Sequence, residues 1–317
     1  MRHQAVGYGL AVAVSVLVVI VAITGQGGLW AWPDWQDPLL QELRLPRIAS
    51  ALLVGAALAG SGAALQALFR NPLADPGLIG TSSGAALGVV LLIAWGGTAS
   101  FGLPLAAFVG GLLSTGLILL LSRVAGNSEA ALLLMGLVIA AFIGAITSLV
   151  LFLSDDLTLR GAMAWLAGNL SGASTSPLGV SAAAIALALL LLIALGRDLD
   201  CLALGTDSAH GLGLSLAATR AWVIVAAALA TGAAVALSGV IGFVGMMVPN
   251  ALALVVGGSR RRLIALSAWL GGLFLLAMDT VSRLVVYPIE IPVGLLTAFT
   301  GPPFFIWLFW YRQRKVN

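Results

Sequence analysis

Apolar residues in this chain come in long unbroken runs, with little alternation. Ten runs stand out, at 5–24, 48–68, 78–95, 104–122, 129–153, 178–195, 217–237, 240–257, 263–281 and 293–311. Each is near the roughly 20 residues that a helix needs to cross a hydrocarbon core about 30 Å thick. Strands of a membrane barrel would instead alternate over about 10 residues. The run at 240–257 is the least regular, because Pro249 and Asn250 interrupt it. One long segment between runs, Gly196 to Thr219, mixes apolar and small polar residues and is broken at Gly205, Gly211 and Gly213. It predicts two short helices lying at a membrane face. The expected fold class is an all-α polytopic membrane protein, one domain over 1–317 with about ten transmembrane helices.

Composition strengthens this picture. The chain is 61% hydrophobic and 9% charged, with a mean hydropathy of +1.10. A soluble core of 317 residues cannot hide so much apolar surface. The run at 5–24 is longer than the apolar part of a signal peptide and lacks an A-x-A site, so it is expected to stay as the first span. The single cysteine, Cys201, rules out a disulfide framework or a cysteine-cluster metal site, and His3 and His210 lie far apart, so no metal or cofactor is expected. No basic arm for nucleic acid is present.

Charge then sets the orientation. With the N-terminus inside, inner segments carry Arg2, Arg70, Arg123, Arg197, Arg220, Arg260, Arg261, Arg262, Arg312, Arg314 and Lys315, which is 11 of the 15 basic residues. Positive loops stay cytoplasmic, so both termini are expected there. Four arginines fall outside: Arg44, Arg47, Arg160 and Arg283. Two readings stand for them. Long basic side chains snorkel or pair locally, and Asp279 with Arg283 has the i,i+4 spacing for a helical pair. Alternatively they form a basic rim for an acidic partner.

Many glycines lie inside runs, among them Gly55, Gly60, Gly62, Gly245, Gly271 and Gly272. In lipid, small residues let helix backbones approach closely, which accounts for most of them. A faint internal echo is also present: Ser61-Gly62 stands 11 residues before Pro72, and Ser238-Gly239 stands 11 before Pro249. Two pseudo-repeated halves are common in transporters. Lys315 is the only lysine, so no G-x-x-x-x-G-K-[ST] phosphate loop exists. Acidic residues within runs are nearly missing apart from Asp279. Proton- or sodium-coupled carriers bury such groups along their route, so uphill movement would draw its energy from another subunit.

The segments RLPR (44–47), LVGAALAGSG (53–62), RNPLADPGLIGTSSGAALG (70–88), WLAGNLSG (165–172), LALGTDSAHGLG (202–213), SGVIGFVGMMVPN (238–250) and SRLVVYPIEIPVGLLTAFTGPPFF (282–305) together resemble the FecCD-type permeases of bacterial ABC importers, over nearly the whole chain. Those permeases take up iron-siderophores, haem or cobalamin. The resemblance implies ten helices with both termini cytoplasmic, in the bacterial inner membrane. It implies a homodimer, two ATPase subunits inside, and a periplasmic or lipid-anchored binding protein outside. ATP hydrolysis would lie in the partner, and the permease itself would be no enzyme.

Residue roles follow from the same motifs. Arg44, Arg47 and Arg283 match the positions that face the binding protein. Asn71 and Leu73 match the cytoplasmic gate turn, and Asn127 with Ser128 the loop that completes it. Leu204, Gly205, Asp207, His210, Gly211, Leu212 and Gly213 match the segment that couples to the ATPase. This chain departs from the family at His210, where Arg is frequent, and at Asn250, where many members have His. The reading that results is an importer permease for a metal chelate, working by alternating access. A cobalamin importer of the same family is the alternative. A secondary carrier or a structural membrane protein remains the competing class, and an adjacent ATPase gene would discriminate.

Overall fold

The computed structural model describes residues 2–26, 29, 30, 32, 34–97, 102–124, 126, 129–172 and 175–316. Among the described residues, the regular structure is helical apart from a two-residue antiparallel pairing, β1 (Gly25–Gln26) with β2 (Leu29–Trp30). Its helices are α1 (Arg2–Thr24), α2 (Leu45–Leu68), α3 (Thr81–Ala94), α4 (Gly102–Val124), α5 (Glu129–Phe152), α6 (Asp156–Leu166), α7 (Thr175–Ala194), α8 (Gly196–Ala203), α9 (Thr206–Gly211), α10 (Leu216–Ser238), α11 (Val244–Ala253), α12 (Arg260–Leu284) and α13 (Val293–Val316).

Among the described residues, six helices are long and apolar enough to cross a membrane: α2 with the π-turn before it (Leu40–Leu68), α4, α5, α10, α12 and α13. A seventh candidate joins Leu178–Ala194 to Gly196–Ala203 across a 41° bend. Three shorter apolar helices, Val12–Thr24, Thr81–Ala94 and Val244–Ala253, fall on the other three predicted runs. The run at 240–257 is helical only within α11. At 1.5 Å per residue this spans about 15 Å, half a bilayer core. The backbone explains the shortfall: Gly239 (φ 70°) ends α10, and Phe243 (φ 69°) holds a left-handed conformation just before α11 begins.

Two helices form the centre. The most apolar window of α2 is 78% buried and that of α10 72%, against 22% for α5. A helix apolar on all sides belongs in such a position. What permits close packing is glycine. A Cβ on Gly55 would fall on the carbonyl of Gly271 in α12, and one on Gly62 would fall on the carbonyl of Gly245 in α11. α2 therefore crosses two neighbours backbone to backbone, as expected where lipid supplies no hydrophobic drive between helices. The two halves of the sequence echo also meet, because Gly245 lies a few residues before Pro249 and Asn250 reaches the carbonyl of Pro72.

Candidate functional site

At one end of α2 the arginines converge on a single carboxylate. Asp279 of α12 has no exposed surface. Arg47 grips it with Nε 3.1 Å from both Oδ atoms and Nη2 2.9 Å from Oδ1. Its Nη1 donates to Glu290 Oε2 at 2.8 Å. Arg283 stands 3.4 Å from Asp279 Oδ2, the i,i+4 pair that the spacing predicted. A forked guanidinium on a carboxylate is the strongest form of such a contact. Arg44 lies beside this cluster, and its Nη1 is buried without a hydrogen-bond partner. Arg44, Arg47, Arg283 and Glu290 line a cavity of about 340 Å³. Three arginines against Asp279 and Glu290 leave one positive charge there. Arg160, on α6, is exposed.

Ser171 lines this cavity and also a larger one of about 830 Å³. The larger cavity is walled by the end of α3, the start of α4, α6, the 169–172 turn and the end of α10, and no charged side chain lines it. Thr158, Trp165, Asn169, Ser171 and Ser238 are its polar lining residues, and the Asn169 backbone N–H donates to the carbonyl of Ser238 at 2.7 Å. Helix α6 was not among the predicted elements, because its 11 residues fall in a segment too short and mixed to read as a span. The signal that marks the wall is the WLAGNLSG segment, quoted for its resemblance alone.

The other end of α2 carries the NPLADP turn. The helix closes with a Schellman motif: Asn71 N–H donates to Gln66 O and Arg70 N–H to Ala67 O, with Arg70 at φ 47°. Asn71 Oδ1 then accepts from Leu73 N–H at 2.9 Å, and Asp75 Oδ1 from Gly77 N–H at 2.8 Å. Loss of water around Asp75 pushes its carboxyl up to about 6, opposed by the Gly77 hydrogen bond. Gln66 Nε2 donates to Gly245 O, and Asn250 Nδ2 to Pro72 O at 2.6 Å. Arg312 of α13 completes the brace, with Nη2 3.0 Å from Asn250 Oδ1. Leu73 projects from the turn, 57% exposed. Asn127 and Ser128 lie outside the described residues.

The segment 196–219 folds as α8 and α9, and its last four residues open α10. Leu199, Leu202 and Ala209 are buried against the bundle. Leu204, Asp207, His210, Gly211, Leu212 and Gly213 face outward, with Gly205 half-buried. Gly205 (φ 105°) and Gly213 (φ 82°) make the left-handed turns that other residues resist. The outcome is a small anchored hairpin that presents two large exposed leucines, Leu204 and Leu212.

Long apolar helices packed backbone to backbone around an uncharged cavity, with few charges inside the bundle, mark a multi-pass membrane protein. The chain belongs to the FecCD transport family, whose pattern matches residues 7–311. It is 42% identical to the hemin transport system permease protein HmuU of Yersinia pestis over 293 residues, 90% of this chain and 85% of that one. It is 40% identical to the vitamin B12 import system permease protein BtuC of Vibrio cholerae over 309 residues, 95% and 91% of the two chains. Among solved structures, an inward-facing conformation of a transporter assigned to the metal-chelate ABC type superposes with a TM-score of 0.89. That match has 31% identity and covers 97% of this chain and 99% of that one.

Proposed function

We propose that this chain is the membrane-spanning permease subunit of an ATP-driven importer for a bulky metal chelate, with iron-siderophore or haem as cargo. The observation that carries this reading is the end-to-end likeness to the hemin permease and to the metal-chelate transporter structure. The geometry supports it. The arginine end, with its surplus positive charge, is the surface for a binding protein's acidic residues. Exposed pairs of this kind add little affinity singly, but together they fix orientation and speed encounter. The 830 Å³ cavity is where cargo enters; its lining holds no charge, so nothing there traps a chelate. The braced turn with Leu73 is the gate on the far side, which Asn127 and Ser128 complete. The α8–α9 hairpin receives the motion of a separate ATPase subunit. Both termini, with that hairpin, lie in the cytoplasm; two copies of the chain enclose the path in the bacterial inner membrane.

The second reading within the family is a cobalamin permease, favoured by the 40% identity to the vitamin B12 permease. Uptake into proteoliposomes containing the chain, its ATPase and its binding protein decides between cargoes. ATP-dependent entry of labelled ferric siderophore or haem, with cyanocobalamin excluded, is the expected result. Entry of cyanocobalamin alone assigns the second reading. Uptake that persists without the ATPase subunit sinks both.

A further inference from the structure

Of the three arginines proposed for docking, Arg47 is the one whose nitrogens are all engaged. Its Nε and Nη2 hold the two oxygens of the buried Asp279. Among the described residues, its remaining nitrogen, Nη1, donates to Glu290 Oε2 at 2.8 Å. The Arg47 side chain is 12% exposed and that of Glu290 46%. The two carboxylates on this guanidinium therefore differ in kind. Asp279 has no exposed surface and belongs to the middle of the bundle, whereas Glu290 meets Arg47 at its solvent side. A partner's carboxylate that approaches Arg47 finds Nη1 already occupied.

The segment that carries Glu290 can release it. Between α12 and α13, every residue from Val285 to Glu290 is exposed. Ile289 N–H donates to Val286 O at 2.8 Å within this stretch, and Ile291 N–H reaches back to Ser282 O at a long 3.4 Å. Tyr287 and Pro288 line the same cavity as the arginines. Glu290 can thus leave Arg47 without breaking a helix, and Asp279, inside α12, cannot. An exposed ion pair is worth little net, so an incoming carboxylate replaces it at small cost.

We propose that Glu290 is a placeholder for a binding protein's carboxylate: it occupies Arg47 Nη1 in the free permease and is displaced when the partner docks. Glu290 has this role only if the arginine end is the docking surface proposed above. It is a positioning residue that acts through Arg47. While the permease is free it keeps Nη1 turned outward. As the partner leaves, it retakes the donor and hastens release.

Surface plasmon resonance with the full-length permease in nanodiscs, and its binding protein in solution, tests this. Glu290→Gln keeps the shape and removes the charge that competes for Nη1. Dissociation of the binding protein should slow about five-fold, the scale of one exposed ion pair. Glu42→Gln controls for charge alone, because Glu42 is an exposed acid on the turn that carries Arg44. Rim charges act mainly on association, so this variant should bind faster and dissociate as before. Unchanged or faster dissociation from Glu290→Gln overturns the proposal, since Glu290 would then merely hold Arg47 in place. Equal slowing by Glu42→Gln also overturns it, by reducing the effect to net charge. Arg44→Glu separates the exchange from the docking reading itself, because among the described residues Arg44 has no ion pair to break. Docking lost in Arg44→Glu but untouched by Glu290→Gln removes the exchange alone. Docking that survives Arg44→Glu unchanged removes the docking reading, and the exchange with it.

Discussion

Asp279 shows how much one side chain can decide. It has no exposed surface, and both Arg47 and Arg283 answer it. Removing one member of a buried ionic group leaves the others uncompensated, at a cost of about 3–5 kcal/mol. Asp279→Ala should therefore lower the thermal unfolding midpoint of the purified protein sharply, while Glu290→Ala, at a partner 46% exposed, should lower it far less. Equal shifts would show that the cluster is not organised around Asp279. The Asp279–Arg283 pair was legible because both residues sit on one helix face four apart. Arg47 lies 232 residues from Asp279, and no local rule links them. So the sequence offered Arg47 as a member of an exposed rim, and the fold gives it a buried partner. Among the described residues, Arg44 is the one of the three arginines without an ion pair to a carboxylate.

At the scale of elements, run length predicted the long helices well, because spanning a hydrocarbon core sets a minimum length that composition reveals. It failed where backbone conformation interrupts a run. α11 is short because the chain turns through positive φ at Gly239 and Phe243 before it, and a run of apolar letters hides that. α6 escaped because 11 mixed residues carry no span signal. The hairpin α8–α9 was legible from its glycine breaks. Glycine content predicted close packing without telling which helices meet. The crossing of Gly62 with Gly245 makes that specific and testable. Gly62→Ala places a methyl on a carbonyl that belongs to backbone and has no rotamer by which to yield. Overpacking of this kind costs about 1–3 kcal/mol. The melting temperature in detergent should fall, whereas Gly144→Ala, with open space around it, should leave it unchanged.

For the molecule as a whole, the coupling role proposed for the hairpin makes a direct prediction. Leu204→Asp with Leu212→Asp alters two outward residues while Leu199, Leu202 and Ala209 keep the hairpin anchored. The expected outcome is an intact, folded permease that no longer co-purifies with its ATPase and supports no ATP-driven uptake. Retained co-purification with normal uptake would remove the hairpin from the coupling role. The identity of the cargo stayed hidden at this scale because the cavity wall is uncharged and small, and such a wall distinguishes molecules poorly. The glycine crossings along α2 have a mechanical consequence. Side chains that interlock can slip between rotamers and absorb a displacement, but peptide planes in direct contact cannot. α2 is about 36 Å long at 1.5 Å per residue, with Arg47 near one tip and the NPLADP turn just past the other. On the proposed reading, with a binding protein at the arginine tip and a gate at Leu73, such a helix would act as a stiff lever that carries a push at one tip to the other.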